Sequence, residues 1–287
     1  MEKNIGKAKV LIEAIPYIQS FRGKTVVIKY GGSAMVDERI KKMMIEDIAL
    51  LRLIGINIVV VHGGGPFINE MLDKMKIEPE FKEGLRVTDQ ETMDIVEMVL
   101  SGKVNKNIVN DIQKLDLKSV GISGKDGMTL KAEKLYKDGI DLGYVGKIIS
   151  VDTELIDGLI KSGSIPVIAP IGRDDQGNTY NINADYAAIA IASELNAQKL
   201  VFVTDVKGVM RDVNDPNSLI SYMNLEEARM NIENGIISGG MIPKVECCIE
   251  AVENGVNTVH IIDGNLDHSM LLEIFTQDGI GTMFGRK

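Results

Sequence analysis

The sequence predicts an α/β fold with an open, mostly parallel central sheet sandwiched between helices. Three observations carry that reading. "TVVIKY", "INIVVVHGG", "SIPVIAP", "KLVFVTDV" and "NTVHII" are short runs rich in Val and Ile with no clear polar face, the pattern of parallel strands covered on both sides. Segments of helical period lie between them, so strand and helix alternate. Two of the runs, "VVIKYGGSAM" and "NIVVVHGGGPFIN", end in glycine, and in such sheets ligands gather beyond the carboxyl ends of the strands.

Taken in order, residues 1–24 stand apart from the alternation. "GKAKVLIEAIPYIQSF" has helical spacing, with Val10, Leu11, Ala14, Ile15 and Ile18 on one side and a proline at 16. Such a helix outside the βα core is a packed cap or an oligomer contact. The spacing then predicts a helix from Glu38 to Ile54, ended by Gly55, and a second from Pro66 to Met75 with proline in its first turn. A third runs from Thr88 to Leu100, where Thr88 and Glu91 make a capping box. Further helices are expected at Asp185–Leu195 and at Pro243–Asn254, the latter stopped by Gly255. The polar, turn-rich "PIGRDDQGNTYNINAD" follows the strand "SIPVIAP", which places a division between two lobes near residue 175. No linker is rich enough in Pro, Gly or Ser to make the lobes independent, and there is no internal repeat.

Bulk properties narrow the function. The 287 residues are 45% hydrophobic, and 41 acidic against 32 basic residues give a formal net charge of −9. That balance argues against general nucleic-acid binding. "MEKNIGKAKV" lacks the apolar core of a signal peptide, and no apolar run reaches about 18 residues, so a cytoplasmic protein that does not span a membrane is expected. Cys247 and Cys248 are adjacent, a spacing that bridges only with strain, so two reduced thiols are expected. His62, His260 and His268 have no metal-ligand spacing, and no metal site built from protein side chains is expected.

The glycine-rich strand ends read as anion sites. Glycine lets backbone N–H groups approach an anion closely, and the start of the following helix adds a positive dipole end. Lys29 precedes Gly31 and Gly32, the reverse of a Walker A loop. A dinucleotide fingerprint is absent, because "GGGP" puts proline where G-x-G-x-x-G should turn onto its helix. In "SGGMIPKVECC", Lys244 falls in a first helical turn, where a cation is unfavourable unless an anion shares the site. "FVTDVKGV" supplies another strand end with Thr204, Asp205 and Gly208.

In order along the chain, "VIKYGGSAM", "VVHGGGP", "GLRVTD", "NINAD", "TDVKGV" and "GGMIPKV" resemble the amino acid kinase family over nearly the whole length. "GLRVTD" and "NINAD" resemble the branch that phosphorylates the side-chain carboxylate of N-acetyl-L-glutamate for arginine biosynthesis. The resemblance implies the fold of that family, with a substrate lobe over 25–175 and an ATP lobe over 176–287. It implies ATP and Mg²⁺, the ion carried by the nucleotide. Lys29 and Lys244 match the two lysines that stabilise the transferring phosphoryl group, and Asp185 the aspartate that holds them. Gly64 and Gly65 match loop glycines at the substrate, Arg86 the arginine that binds its α-carboxylate, and Asn181 a further contact, with Asn183 close by. Gly31 and Gly32 match the loop facing the ATP phosphates, and Thr204, Asp205 and Gly208 fall in the nucleotide lobe. Many members carry glycine four residues after the aspartate of "NINAD", where this chain has Ile189. Another carboxylate or carbamate kinase of the same fold, or a ligand sensor without activity, is the alternative.

The last segment, "HSMLLEIFTQDGIGTMF", resembles the signature of members inhibited by L-arginine. Those members also carry an extra N-terminal helix through which three dimers interlace into a hexamer. By that resemblance Glu273 takes the arginine guanidinium, and Tyr17, Lys199, His268 and the Gly279–Gly281 backbone are further candidates for the pocket.

Overall fold

In the computed structural model, residues 9–82, 84–137, 139–215, 217–276 and 279–286 are described. Eight strands form the central sheet. β1 (Thr25–Tyr30) lies inside it, with β2 (Asn57–His62) on one side and β11 (Lys199–Thr204) on the other. Beyond β2 come β8 (Ile165–Ala169) and β5 (Ser119–Ser123), and beyond β11 come β13 (Thr258–Asp263), β14 (Thr282–Gly285) and β12 (Tyr222–Asn224). Only the β13–β14 pair is antiparallel. The chain therefore builds outward from β1 in both directions, which makes the carboxyl end of β1 a topological switch point.

The sheet is buried on both faces, which explains why its strands lack a polar side. Val27, Val59, Val61, Leu200 and Phe202 face one core cluster, while Val26, Ile28, Val60, Val201 and Val203 face the other. The first cluster is closed by α7 (Ala184–Glu194) and α9 (Met241–Glu253). The second is closed by α2 (Glu38–Leu53), α3 (Gly65–Lys74), α4 (Gln90–Glu97), α5 (Asn105–Gln113) and α10 (Ser269–Phe275). Ile189 is buried against the first cluster. Two short helices complete the set, α6 (Glu154–Lys161) and α8 (Leu225–Glu233). Cys247 and Cys248 are both free and buried on α9.

Two sequence expectations need correction. The third helix does not start on a Thr88 capping box. Asp89 is the N-cap, its carboxylate accepting from Thr92 N at 2.8 Å, because the Thr88 hydroxyl already donates to the Arg86 carbonyl at 2.8 Å and its backbone bridges to Gly143. Nor does the helical path stop near Leu100: it passes into a π-helical segment, Met98–Val104, and on into α5. The polar, turn-rich "PIGRDDQGNTYNINAD" also carries strands. It forms the antiparallel pair β9 (Ile171–Arg173) and β10 (Thr179–Ile182), which joins the long hairpin β6 (Leu130–Lys137) and β7 (Ile140–Val151) in a small closed sheet. Position 175 falls in the β9–β10 turn, tied down by Asp174, which accepts from Gln176 N and Asn178 N at 2.9 Å each. The central sheet takes strands from both sides of that turn.

The N-terminal helix is present. Residues 9–13 are helical and lead through a turn into α1 (Ile15–Phe21). It lies on the surface and leaves Val10, Leu11 and Ile12 largely exposed. The first eight residues of the predicted segment lie outside the described residues.

Candidate active site

Register brings the strand ends level. Lys29 is opposite Phe202 on β11 and Val61 on β2, and Tyr30 is opposite His62. Gly63 N donates to the Tyr30 carbonyl at 2.9 Å, extending that ladder into the glycine turn. The turns after β1, β2 and β11 thus open on the same edge of the sheet.

Lys29 Nζ lies 2.9 Å from Asp185 Oδ1, with side chains 15% and 24% exposed. The ammonium passes so close to the backbone that a Cβ at Gly31 would sit 3.1 Å from Nζ. Asp185 lies in the first turn of α7, where a carboxylate is favoured by the helix dipole. Asn183 is the N-cap of that helix, and its side-chain oxygen accepts from Asp185 N at 2.8 Å. Its side-chain oxygen thus caps the helix that carries Asp185. Lys244 comes from the first turn of α9, whose N-cap, Gly240, offers no capping side chain. Asp185, Thr204, Lys244 and Cys247 line one small cavity. Burial pushes the Cys247 thiol up to about 12, with Asp185 adding to the shift and Lys244 opposing it. Both charges are thus felt at one point, although they come from different helices.

Arg86 ends the two-residue strand β4 (Leu85–Arg86), which pairs with β3 (Phe81–Lys82). It is 7% exposed. Its Nη2 donates to Asn69 Oδ1, and its guanidinium lies 4.6 Å from the centre of the Phe81 ring. Nη1 is buried without a hydrogen-bond partner among the described residues. Burial lowers its pKa, yet a guanidinium stays charged at any working pH. Asn181 Nδ2 donates to Thr88 Oγ1 at 3.3 Å, and that hydroxyl in turn reaches the Arg86 carbonyl. Arg86 and Asn181 are thereby linked through Thr88.

The glycine turns differ in how strictly they need glycine. Gly64 is the N-cap of α3, and a Cβ there would meet Leu100 Cδ2 at 2.4 Å. Gly65 has open space around it, while Gly32 has φ +67°, a conformation that favours glycine. After β11, the Thr204 hydroxyl is 3.1 Å from the Val206 carbonyl and 3.2 Å from the Ile262 carbonyl, and accepts from Val206 N at 3.3 Å. It shapes this turn. Asp205 is exposed, and Gly208 has φ +140° with Thr282 Oγ1 only 2.6 Å from a built Cβ. A cleft of about 400 Å³ opens here, lined by Val206, Lys207, Gly208, Met210, Ile236 and Met241 among others. Its size suits a small organic ligand.

Lysines beside glycine turns at a switch point, a carboxylate paired with one and lining a cavity with the other, and a cleft alongside are an arrangement that suits phosphate. A sequence profile described as "Amino acid kinase family" matches residues 24–263. The chain belongs to the amino acid kinase family. An acetylglutamate kinase of Thermoanaerobacter pseudethanolicus is 58% identical to this kinase over 283 residues, spanning 99% of this chain and 94% of that one. Among solved structures, N-acetylglutamate synthase from Neisseria gonorrhoeae complexed with coenzyme A and N-acetyl-glutamate matches with a TM-score of 0.86 and 29% identity. The match covers 98% of this kinase but 63% of the synthase, so the kinase spans less than two thirds of that longer chain. The same synthase complexed with coenzyme A and L-arginine matches with a TM-score of 0.81, 26% identity and coverage of 98% and 65%.

A second polar cluster of the kinase lies on the other side of the sheet, under α10. Lys199 Nζ is 2.7 Å from His260 Nε2, and His260 Nδ1 meets Glu273 Oε1. Glu273 Oε2 accepts from Ile280 N at 2.8 Å and Gly281 N at 3.2 Å. Burial pushes the Lys199 ammonium down to about 8. Its charge also sits 5.3 Å from the Phe21 ring of α1, and Tyr17 of the same helix packs edge-on against Phe275 at 6.4 Å. Of the five residues expected here, Tyr17, Lys199, Glu273 and Gly281 gather at α1 and α10. His268 turns to Asp47 instead, at 2.6 Å.

Sequence reasoning missed Asn69, Thr88, Phe81 and His260. Thr88 was visible as a residue but was assigned to a cap. Asn69 and Phe81 carry no motif signal, since their role depends on which helix and hairpin fold over Arg86. His260 sits in the middle of an apolar strand, and a polar residue there signals a buried partner.

Proposed function

We propose that this kinase transfers the γ-phosphoryl group of ATP to the side-chain carboxylate of N-acetyl-L-glutamate, forming an acyl phosphate in arginine biosynthesis. The observation that carries the reading is the buried Arg86 guanidinium with Nη1 unpartnered, linked through Thr88 to Asn181. A buried donor left without an acceptor is costly, and a planar fork suits a carboxylate. In this reading Arg86 and Asn181 hold the α-carboxylate end of the acceptor, Gly64 and Gly65 face its reacting end, and residues 25–175 form the substrate lobe. Residues 176–287 hold ATP, with Gly31 and Gly32 toward the phosphates and Thr204, Asp205 and Gly208 shaping the nucleotide cleft.

The chemistry needs no general base, because a carboxylate with a pKa of about 4.3 is already ionised at neutral pH. A carboxylate oxygen forms the new bond to the γ-phosphorus, the bond from that phosphorus to the β–γ bridging oxygen breaks, and ADP leaves. The obstacle is electrostatic, an anion approaching a polyanion. Lys29 and Lys244 put positive charge on the transferring group from two sides, and Asp185 keeps both ammonium groups in place. Among the described residues no group of three or more His, Cys, Asp or Glu is gathered at one point. In this reading Mg²⁺ comes as an ion carried on the nucleotide, where it would supply further neutralising charge. The test is ADP release with N-acetyl-L-glutamate compared with glutamate, aspartate, acetylaminoadipate and carbamate. A clear preference for N-acetyl-L-glutamate supports the assignment; preference for another acceptor replaces it, and no turnover with any favours a ligand sensor.

We also propose feedback inhibition by L-arginine in a hexamer built as a trimer of dimers, in the cytoplasm. What supports it is the Lys199–His260–Glu273 cluster beneath α1 and the exposed apolar face of Val10, Leu11 and Ile12. The expected result is loss of activity on arginine titration, relieved in Glu273→Gln, and a hexamer mass by light scattering. A flat titration or a dimer mass would contradict it.

A further inference from the structure

The active-site reading leaves one buried polar chain without a task. His62, the last residue of β2, is fully buried. Its Nδ1 lies 2.8 Å from the carbonyl oxygen of Gly63, and its Nε2 lies 3.1 Å from Asn105 Nδ2. Asn105 is also fully buried, and its surroundings fix which way its amide points. Nδ2 faces the carbonyls of Val167 at 2.9 Å and Ile122 at 3.3 Å, which can only accept. Oδ1 faces the Lys106 ammonium at 3.1 Å, which can only donate. Nδ2 cannot accept a proton from Nε2, and the Gly63 carbonyl can only accept from Nδ1, so the imidazole proton belongs on Nδ1 and Nε2 is left facing the amide donor. Burial, with Lys106 adding to it, keeps the ring neutral.

The surroundings are built for this arrangement. Asn105 follows directly on the π-helical segment Met98–Val104, and its N–H reaches back to the Leu100 carbonyl. One extra residue in a turn rotates all that follows by about 100° relative to an α-helix, and this rotation brings Asn105 to the sheet. Gly121 on β5 clears the space, since a Cβ there would lie 1.8 Å from Asn105 Oδ1. The same segment floors the glycine turn, with Leu100 and Val104 beneath Gly64.

We propose that His62 and Asn105 are positioning residues for the phosphoryl-acceptor turn: Asn105 selects the Nδ1–H tautomer, and that N–H pins the Gly63 carbonyl. A trans peptide is planar, with its C=O and N–H pointing in opposite directions. Pinning the Gly63 oxygen against the ring therefore turns the Gly64 N–H away from it, outward at the N-terminus of α3. The inference rests on the acceptor-site reading given above for Gly64 and Gly65.

Two measurements on the full chain test it. Labelling the three histidines with ¹⁵N, and assigning His62 by its loss in His62→Asn, reads directly which ring nitrogen carries the proton. The expected result is Nδ1–H from pH 6 to 8, shifting toward Nε2–H or imidazolium in Asn105→Asp. In steady-state kinetics, His62→Asn keeps an amide donor near the place of Nδ1, whereas His62→Gln moves it toward Nε2. His62→Gln should raise the KM for N-acetyl-L-glutamate at least about tenfold, with the ATP KM little changed and His62→Asn recovering most of the loss. An Nε2–H tautomer in the unaltered chain, or equal losses in the two His62 variants, would overturn the proposal. Absence of turnover in the unaltered chain would instead count against the assigned reaction, and the spectrum would still decide the tautomer.

Discussion

Lys29 on β1 and Asp185 on α7 meet at 2.9 Å, and Asp185 lines a small cavity with Lys244. The pair joins β1, which carries the glycine turn, to α7, which follows directly on β10. Both side chains keep some exposure, so the pair contributes little to stability. Its role is to aim charge.

Lys29→Met should lower kcat at least about hundredfold, since it removes charge stabilisation that develops in the transition state. Asp185→Asn should give a comparable loss, and the double variant should be little worse than either alone, as residues of one unit are non-additive. Melting temperatures should stay close to that of the parent. Steady-state kinetics of the three proteins check this, and additive losses would separate the two residues into independent roles.

Arg86→Lys should raise the KM for N-acetyl-L-glutamate and leave the ATP KM nearly unchanged. Lysine keeps the charge but not the fork that reaches Asn69 and a carboxylate together. The loss should be about tenfold to a hundredfold in kcat/KM. Equal changes in both KM values would place Arg86 outside the acceptor site.

Gly143→Ala should be among the costliest single-methyl additions. Gly143 has φ +75°, and a Cβ there would lie 2.0 Å from the Thr88 carbonyl oxygen. The clash cannot be relieved by a side chain, because Tyr144 N donates to that same oxygen at 2.6 Å. A loss of about 2–4 kcal/mol is expected from strain and overpacking. Thr88 carries the link between Arg86 and Asn181, so the KM for N-acetyl-L-glutamate should rise as well. Chemical denaturation with kinetics on the folded fraction reads both effects.

Asp47 and His268 should make stability fall as pH rises. Asp47 is fully buried, with one oxygen on His268 and the other without a partner among the described residues. Burial pushes its pKa up to about 6. The bond to Asp47, aided by Glu46 and Asp267, raises that of His268. In both groups the folded state holds its proton more tightly than the unfolded chain. Their contribution is complete below the usual carboxylate pKa and is lost as pH climbs through about 6 and past the raised histidine pKa. Asp47→Asn should flatten the stability profile between pH 4 and pH 8 by an amount on the order of 2 kcal/mol. Parallel profiles for the two proteins would contradict this.

Much of the frame was legible because it obeys short-range rules. The apolar strands, the proline start of α3 and the stop at Gly55 follow from local chemistry, and the structure has them within a residue or two. The β6–β7 hairpin was hard to see because its strands alternate raggedly between buried and exposed positions. Arg86 could be singled out from its motif, yet its isolation could not, because Phe81 and Asn69 reach it only through tertiary packing. Asn183 was singled out by its motif, but its cap on the helix that carries Asp185 shows only in the fold. His268 was a candidate for the pocket around Glu273, and its ring points to Asp47 instead.

The most direct measurement is hydroxylamine trapping of the acyl phosphate. Incubating the protein with ATP, Mg²⁺, N-acetyl-L-glutamate and hydroxylamine should yield the hydroxamate in step with ADP, and Lys29→Met and Lys244→Met should nearly abolish it. ADP release without hydroxamate, or near-normal hydroxamate in either lysine variant, would contradict phosphoryl transfer to a carboxylate under a two-lysine clamp.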